Sequence, residues 1–312
     1  MRIIGFYKKR WVFFSISLFI LLAGILAVFI NGVRLDIQFK GGALLKYTYS
    51  GEIDDGAAAD IISGMLKRPV TTQITTDLKT GAKRLVINIA GDYGLDARDQ
   101  QELGDTLKEK FPAAGLNLSE SSMVEPFFGK KFLRNGITAI LLAACFVVIY
   151  VWIRFRRIGG LSAGIMALVA LLHDVIIVFV TCVIFRIPIG DSFIAVALTI
   201  IGYSINDTIV IYDRIRENRR NNAKLPVETL TDLSINQSMM RSINTNIAVF
   251  ISISLVYLLA FANSIESIQS FALPMAIGTI SGCYSTVCIA GPLWVMWKKR
   301  KEKMVIRSRA KA

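Results

Sequence analysis

Histidine is almost absent from this chain: its 312 residues include one, His173. A centre built on clustered imidazoles is therefore excluded. No GxSxG, HExxH, paired-Asp protease motif or phosphate-binding loop occurs either, so enzyme chemistry has no foothold. Cysteine is scarce too. Cys145, Cys182, Cys283 and Cys288 all fall in hydrophobic segments, so neither a disulfide framework nor a CxxC metal site is readable, and they read as small apolar packing residues. Charged residues make up only 19% of the chain. With 54% apolar residues and a mean hydropathy of +0.53, the composition is that of a membrane protein.

The charge that is present is unevenly placed. Residues 31–130 hold 12 of the 36 Lys/Arg and 14 of the 23 Asp/Glu, leaving 24 and 9 elsewhere. The whole basic excess thus lies among the hydrophobic segments and their flanks. This is the pattern of basic loops facing an anionic membrane surface, not of a nucleic-acid groove, and no nucleic-acid partner is expected.

A basic start (1–10) precedes an uncharged run over 11–30, long enough at about 1.5 Å per residue to cross a hydrocarbon core of about 30 Å. It lacks a small-x-small cleavage pattern and reads as a retained first span. Further spans are expected over 136–153, 160–185, 192–212, 242–261 and 272–297, with a basic tail at 298–312. Lys and Arg number 4 at the N-terminus, 3 between the second and third spans, 6 in the 213–241 loop and 8 in the tail. The opposite loops carry almost none, so both termini are expected in the cytoplasm and residues 31–130 outside. Within 213–241, Val227, Leu230 and Leu233 recur at helical spacing, which predicts an amphipathic helix on the inner surface. Gly160 with Gly164, and Gly278 with Gly282, have the GxxxG spacing that lets helices approach closely, although glycine is common in membrane helices generally.

Residues 31–130 change period. Strand-like patterns over 36–49 (broken at Gly41 and Gly42), 70–76, 83–90 and 115–124 alternate with helical patterns over 55–66, capped by Asp54 or Asp55, and 96–111, opened by Asp96. The order βαββαβ is a split βαβ arrangement, an extracytoplasmic α+β domain.

Several spans carry groups that are costly in lipid. Asp207, about 9 Å inside the cytoplasmic end of the fourth span near Asp213, shares a helix face with Tyr203 and Ser204, and Asn206 precedes it. The fifth span opens on Arg241, with Thr245 one turn deeper on the same face. A guanidinium entering from the same side as the carboxylate predicts a pair. A proton relay and a purely structural ion pair are both open readings, and the relay is favoured because apolar packing could replace a structural pair. Adjacent His173 and Asp174 lie mid-way in the third span, some 100° apart on the helix, as relay or packing groups. Asp213, Arg214, Arg216 and Glu217 read as a self-neutralising interfacial helix end.

The stretch GYSINDTIVIYDRIREN from Gly202, with ALLHDVIIVF before it and MMRSINTN after it, closely resembles the SecD/SecF family of protein-export membrane proteins, on its SecF side, within the RND-type permease superfamily. The likeness covers the full length. It implies a polytopic α-helical fold, six spans forming half of an RND-type bundle, with a ferredoxin-like external domain. It further implies a SecD partner, the SecYEG translocon, YajC and YidC as further candidates, an emerging preprotein as client, and the bacterial cytoplasmic membrane as location. Protons serve as coupling ion, with no other cofactor. Asp207 matches the family's proton-transfer aspartate, Arg241 the arginine opening the fifth span and Thr245 the hydroxyl beyond it, while His173 and Asp174 match a His-Asp pair. Where the family shows Asp-Phe-x-Gly-Gly, Gln38, Phe39, Lys40, Gly41 and Gly42 stand here, keeping the glycines and losing the carboxylate. The implied mechanism is that protonation of Asp207 weakens its attraction to Arg241 and repacks the fourth and fifth spans. Two other readings share these residues: a proton-driven efflux transporter of lipids or drugs, and a subunit that only stabilises the translocon.

Overall fold

The computed structural model describes residues 4–36, 39, 42–68, 70–76, 83–90, 95–124, 126–263 and 265–309. Helix α1 spans Arg10–Asn31. The polar region follows as β1 (Gly42–Tyr49), α2 (Asp55–Leu66), β2 (Val70–Thr76), β3 (Lys83–Ala90), α3 (Ala97–Lys110) and β4 (Asn117–Val124). The remaining chain forms α4 (Pro126–Arg154), α5 (Gly160–Ile184), α6 (Asp191–Asn221), α7 (Val227–Ala262), α8 (Glu266–Ser285), a π-helical turn (Thr286–Ala290) and α9 (Gly291–Arg309). Gln38, Lys40 and Gly41, part of the expected glycine kink, lie outside the described residues.

Period-2 alternation makes one face of the sheet apolar, and α2 and α3 cover that face. The strands order β2-β3-β1-β4, every neighbouring pair antiparallel. Leu45, Leu85, Ile87 and Ile89 from the sheet meet Leu103 and Leu107 of α3, all fully buried. The α2 start is settled locally: Asp54 accepts from the Gly56 and Ala57 amides at 2.9 and 3.3 Å, satisfying two otherwise orphaned donors. Asp96 occupies the N-cap position of α3 without a side-chain bond.

Among the described residues six helices are long and apolar enough to cross a membrane: Arg10–Asn31, Gly129–Arg154, Gly160–Ile184, Asp191–Asn221, Val227–Ala262 and Ser267–Met304. The third, fourth and sixth form the bundle centre, and the first, second and fifth leave most of their apolar surface uncovered. The glycine pairs make the close approaches. A Cβ on Gly160 would meet the Trp152 carbonyl oxygen, and one on Gly164 would come within 3.1 Å of the Val148 carbonyl oxygen, seating α5 against α4. Gly282 similarly admits Ser204 of α6, 3.1 Å from the position its Cβ would take.

The apolar run over 136–153 lies within a longer helix, α4, which begins at Pro126. One expectation needs correction: residue 227 does not open a separate surface helix. It starts a continuous helix of 36 residues, α7, whose first turns run back along the end of α6. The physical reason is that Leu230 of the expected stripe is buried in the protein core with Ile211, Ile215 and Ile235, and Val227 packs against that core, while Leu233 is half-buried. Polar bonds zip the same seam: Asn218 Nδ2 donates to Ser234 Oγ (2.9 Å) and Gln237 Oε1 (2.8 Å), and Arg214 Nε donates to Gln237 Oε1 (2.9 Å). The N-terminal segment caps this hairpin through the Tyr7 amide, which donates to Asp232 at 2.9 Å.

At the opposite end, the segment after α1 is tied to the α5–α6 loop. Leu35 and Ile189 form a parallel bridge, the Asp36 amide donates to the Ile189 carbonyl (3.0 Å) and the Ile189 amide to the Arg34 carbonyl (2.8 Å).

Candidate functional site

Helix α6 carries the site because three of its residues turn polar groups toward three different neighbours. Ser204, Asp207 and Thr208 are all buried near the middle of the helix. In lipid each needs a partner within the protein, since no water is present to supply one.

Ser204 reaches Asp174 of α5, which is fully buried. Asp174 Oδ2 accepts from Ser204 Oγ (2.8 Å) and Ser285 Oγ (2.7 Å), and Oδ1 accepts from Ser281 Oγ (2.6 Å). Three hydroxyls from two other helices thus surround one carboxylate. His173 adds a longer contact, Nδ1 to Asp174 Oδ1 at 3.3 Å, while its Nε2 has no partner and its ring lies 6.1 Å from that of Tyr284. The structure therefore brings together two adjacent residues whose positions alone did not make them a couple.

Asp207 has a different environment. Asn246 of α7 donates from Nδ2 to Asp207 Oδ2 at 2.6 Å, and also to the Ser242 carbonyl at 2.8 Å. Ser242, one turn before Asn246, is buried. Among the described residues no ion pair within 4.0 Å joins Asp207 to Arg241: Arg241 is exposed, and so is Thr245, whose Oγ1 donates to the Arg241 carbonyl at 2.9 Å. The expected direct pair is replaced by a carboxylate–carboxamide bond. The reason is helical phase: residues 242 and 246 are one turn apart and share the face toward α6, whereas 241 and 245 are rotated from it by about 100°. Asn246 and Ser242 were visible only as a polar start to the fifth span, and nothing in their spacing singled them out from their neighbours.

Thr208 completes the belt, with its Oγ1 3.2 Å from Thr286 Oγ1 in the π-helical turn. Tyr203 is half-buried with an unpartnered hydroxyl, and Asn206 is exposed on the opposite side of α6. The interfacial charges neutralise one another locally, Arg214 with Glu217 (2.6 Å) and Arg216 with Asp213 (2.7 Å). Among the described residues no group of three His, Cys, Asp or Glu could hold a metal.

What such a belt can do is hold two carboxylates at membrane depth in unequal settings. Asp174 is fully engaged by hydroxyl donors. Asp207 has one amide donor, whose own carbonyl oxygen, Asn246 Oδ1, is buried without a partner.

Comparison with known proteins places these elements. The family model of the protein export membrane protein SecD/SecF, C-terminal, matches residues 104–300. The chain is 33% identical over 302 residues to the protein translocase subunit SecF of Alicyclobacillus acidocaldarius, covering 96% of this chain and 94% of the relative. It is 32% identical to the protein translocase subunit SecDF of Bacillus subtilis, covering 96% of this chain and 38% of that longer one. Among solved structures, SecDF of Thermus thermophilus, described as a translocon-associated membrane protein, superposes with a TM-score of 0.78 at 25% identity, over 96% of this chain and 39% of that one. These relatives are named as translocase subunits, not as enzymes.

Proposed function

Because this chain belongs to the SecD/SecF family of protein-export membrane proteins, we propose that it is a SecF-type subunit of the Sec machinery that couples proton entry to preprotein movement through Asp207 and Asn246. The role in Sec export follows from the relatives; the coupling rests on one observation. A buried carboxylate accepts from the Asn246 amide, beside two buried oxygens, Asn246 Oδ1 and Ser242 Oγ, that have no partner of their own. Ionised, Asp207 accepts from Asn246 Nδ2. Protonated, it becomes a donor, and either of those oxygens can accept, Asn246 Oδ1 after the carboxamide rotates and gives up its bond to the Ser242 carbonyl. The bond between α6 and α7 thereby has two arrangements that a proton selects between, which is what a relay needs. Arg241 and Thr245 lie on the uncovered face of α7 at the same end, and exposed polar groups there call for a protein partner.

That partner is SecD. Relatives in which a chain like this one is the minor part of a SecDF protein support it, since a covalent fusion keeps both halves together. In the assembled pair Arg241 and Thr245 are covered by the SecD half and complete the path to Asp207. SecYEG, with YajC and YidC as further associates, receives the complex. The βαββαβ domain, with its β2-β3-β1-β4 sheet, is ferredoxin-like and lies outside the bacterial cytoplasmic membrane, where it meets the emerging preprotein. Both termini are cytoplasmic, in keeping with the basic loops and tail.

The test is preprotein export into vesicles carrying SecYEG, SecD and this chain, with and without an imposed proton gradient. Asp207→Asn is expected to assemble normally and to abolish the gradient-dependent part of export, leaving the rest. Full gradient dependence in an assembled Asp207→Asn complex refutes the coupling role.

A further inference from the structure

A groove of about 780 Å³ lies where the turn joining α4 to α5 meets the far part of α9, outside the belt described above. Four cations line it: Arg156, Lys298, Arg300 and Lys301. Among the described residues none of the four is within 4.0 Å of a carboxylate. By contrast, neighbouring Lys299 spends its charge on Glu228 at 2.8 Å, and Arg154 on Asp213 at 3.2 Å, both outside the groove. Four unneutralised positive charges gathered at one concave site favour an anionic occupant.

The remaining walls say which kind. Trp152 and Trp297 border the groove and are exposed, the side-chain type enriched where the hydrocarbon of a bilayer gives way to headgroups. Below the cations the lining turns apolar at Leu161 and Ile165. From there the uncovered surface of α5 continues through Val169 and Leu172, both exposed although most of that helix is buried. These four residues follow one another at helical spacing down a single face. The eleven helical steps from Leu161 to Leu172 span about 16 Å, close to half of the roughly 30 Å hydrocarbon thickness. The groove therefore offers a cationic seat at the interface and, directly under it, an apolar track one leaflet long.

We propose that this groove binds an anionic phospholipid, its phosphate among Arg156, Lys298, Arg300 and Lys301 and one acyl chain along Leu161, Ile165, Val169 and Leu172. A free phosphate matches only the cations, and a zwitterionic phospholipid brings a phosphate and an acyl chain but also an ammonium that the four cations repel. Gly159 and Gly160 shape the site. Gly159, at φ +97°, leaves room that Lys298 Nζ occupies, and Gly160 lets the α4 backbone close behind it. The inference stands on the membrane location of the chain and does not depend on the export reading.

The full-length chain, purified in detergent, is to be titrated with phosphatidylglycerol and separately with phosphatidylcholine, bound lipid being counted by native mass spectrometry. Phosphatidylglycerol is expected to bind in preference. With each near-surface cation worth about a fivefold factor, Arg300→Gln/Lys301→Gln is expected to weaken it about twenty-five-fold. Arg300→Lys/Lys301→Arg, which keeps both charges, is expected to retain it, so that a loss in the first variant is not mistaken for misfolding. Equal binding of the two lipids by the wild type overturns the proposal, as does undiminished binding by a folded Arg300→Gln/Lys301→Gln chain. Complete displacement by millimolar inorganic phosphate also overturns it, since the site would then be one for free anions.

Discussion

Asp174 is held by Ser204, Ser281 and Ser285, and that arrangement makes it the polar centre of the helix bundle. Interhelical polar contacts in membranes average about 0.6 kcal/mol each, because the dissociated helices also find partners. Asp174→Ala, which deprives three hydroxyls of their acceptor at once, is expected to cost about 2 kcal/mol in resistance to unfolding by dodecyl sulfate. Ser281→Ala alone is expected to cost about a third of that. In the α/β domain Tyr47 is the informative residue. It is fully buried in the β1 face, its hydroxyl has no partner, and burial, with Asp105 nearby adding to it, pushes its phenol up to about 12. An unfolded tyrosine titrates near 10. The folded value is the higher one, so the stabilisation is intact below pH 10 and is lost as pH rises through 10 toward 12. Unfolding of the domain, followed by tyrosine absorbance and hydrogen exchange, is expected to become easier across that window, and Tyr47→Phe is expected to remove this contribution.

At the scale of elements, the glycines separate contact from mere composition. At Gly160 an added methyl meets the Trp152 carbonyl, a backbone atom that cannot rotate away, whereas at Gly202 it meets nothing within 4 Å. Gly160→Ala is expected to destabilise the bundle by about 1–3 kcal/mol through overpacking. Gly202→Ala is expected to be neutral or to gain up to about 1 kcal/mol from helix propensity. A pair of melting curves distinguishes the two. The last helical stretch makes a different point. Ser281 and Ser285, one turn apart on α8, both reach Asp174, while Thr286, the next residue and the first of the π-helical turn, faces Thr208.

For the whole molecule, the α/β domain is inserted in the chain between α1 and α4, the first and second of the long apolar helices. What could be read along the chain were those properties that depend on near neighbours: the six apolar runs, the alternating strands, a cap at Asp54 or Asp55, and the cost of carboxylates at 174 and 207. Hydropathy and period are local, and they register burial without naming what does the burying. For that reason the stripe after Pro226 looked the same whether it faced lipid or protein, and Arg241 looked as able as Asn246 to meet Asp207. Sequence by itself determined which groups must find partners. Only the tertiary structure decided which partners they found, because the relative rotation of packed helices is settled jointly by segments far apart in the chain.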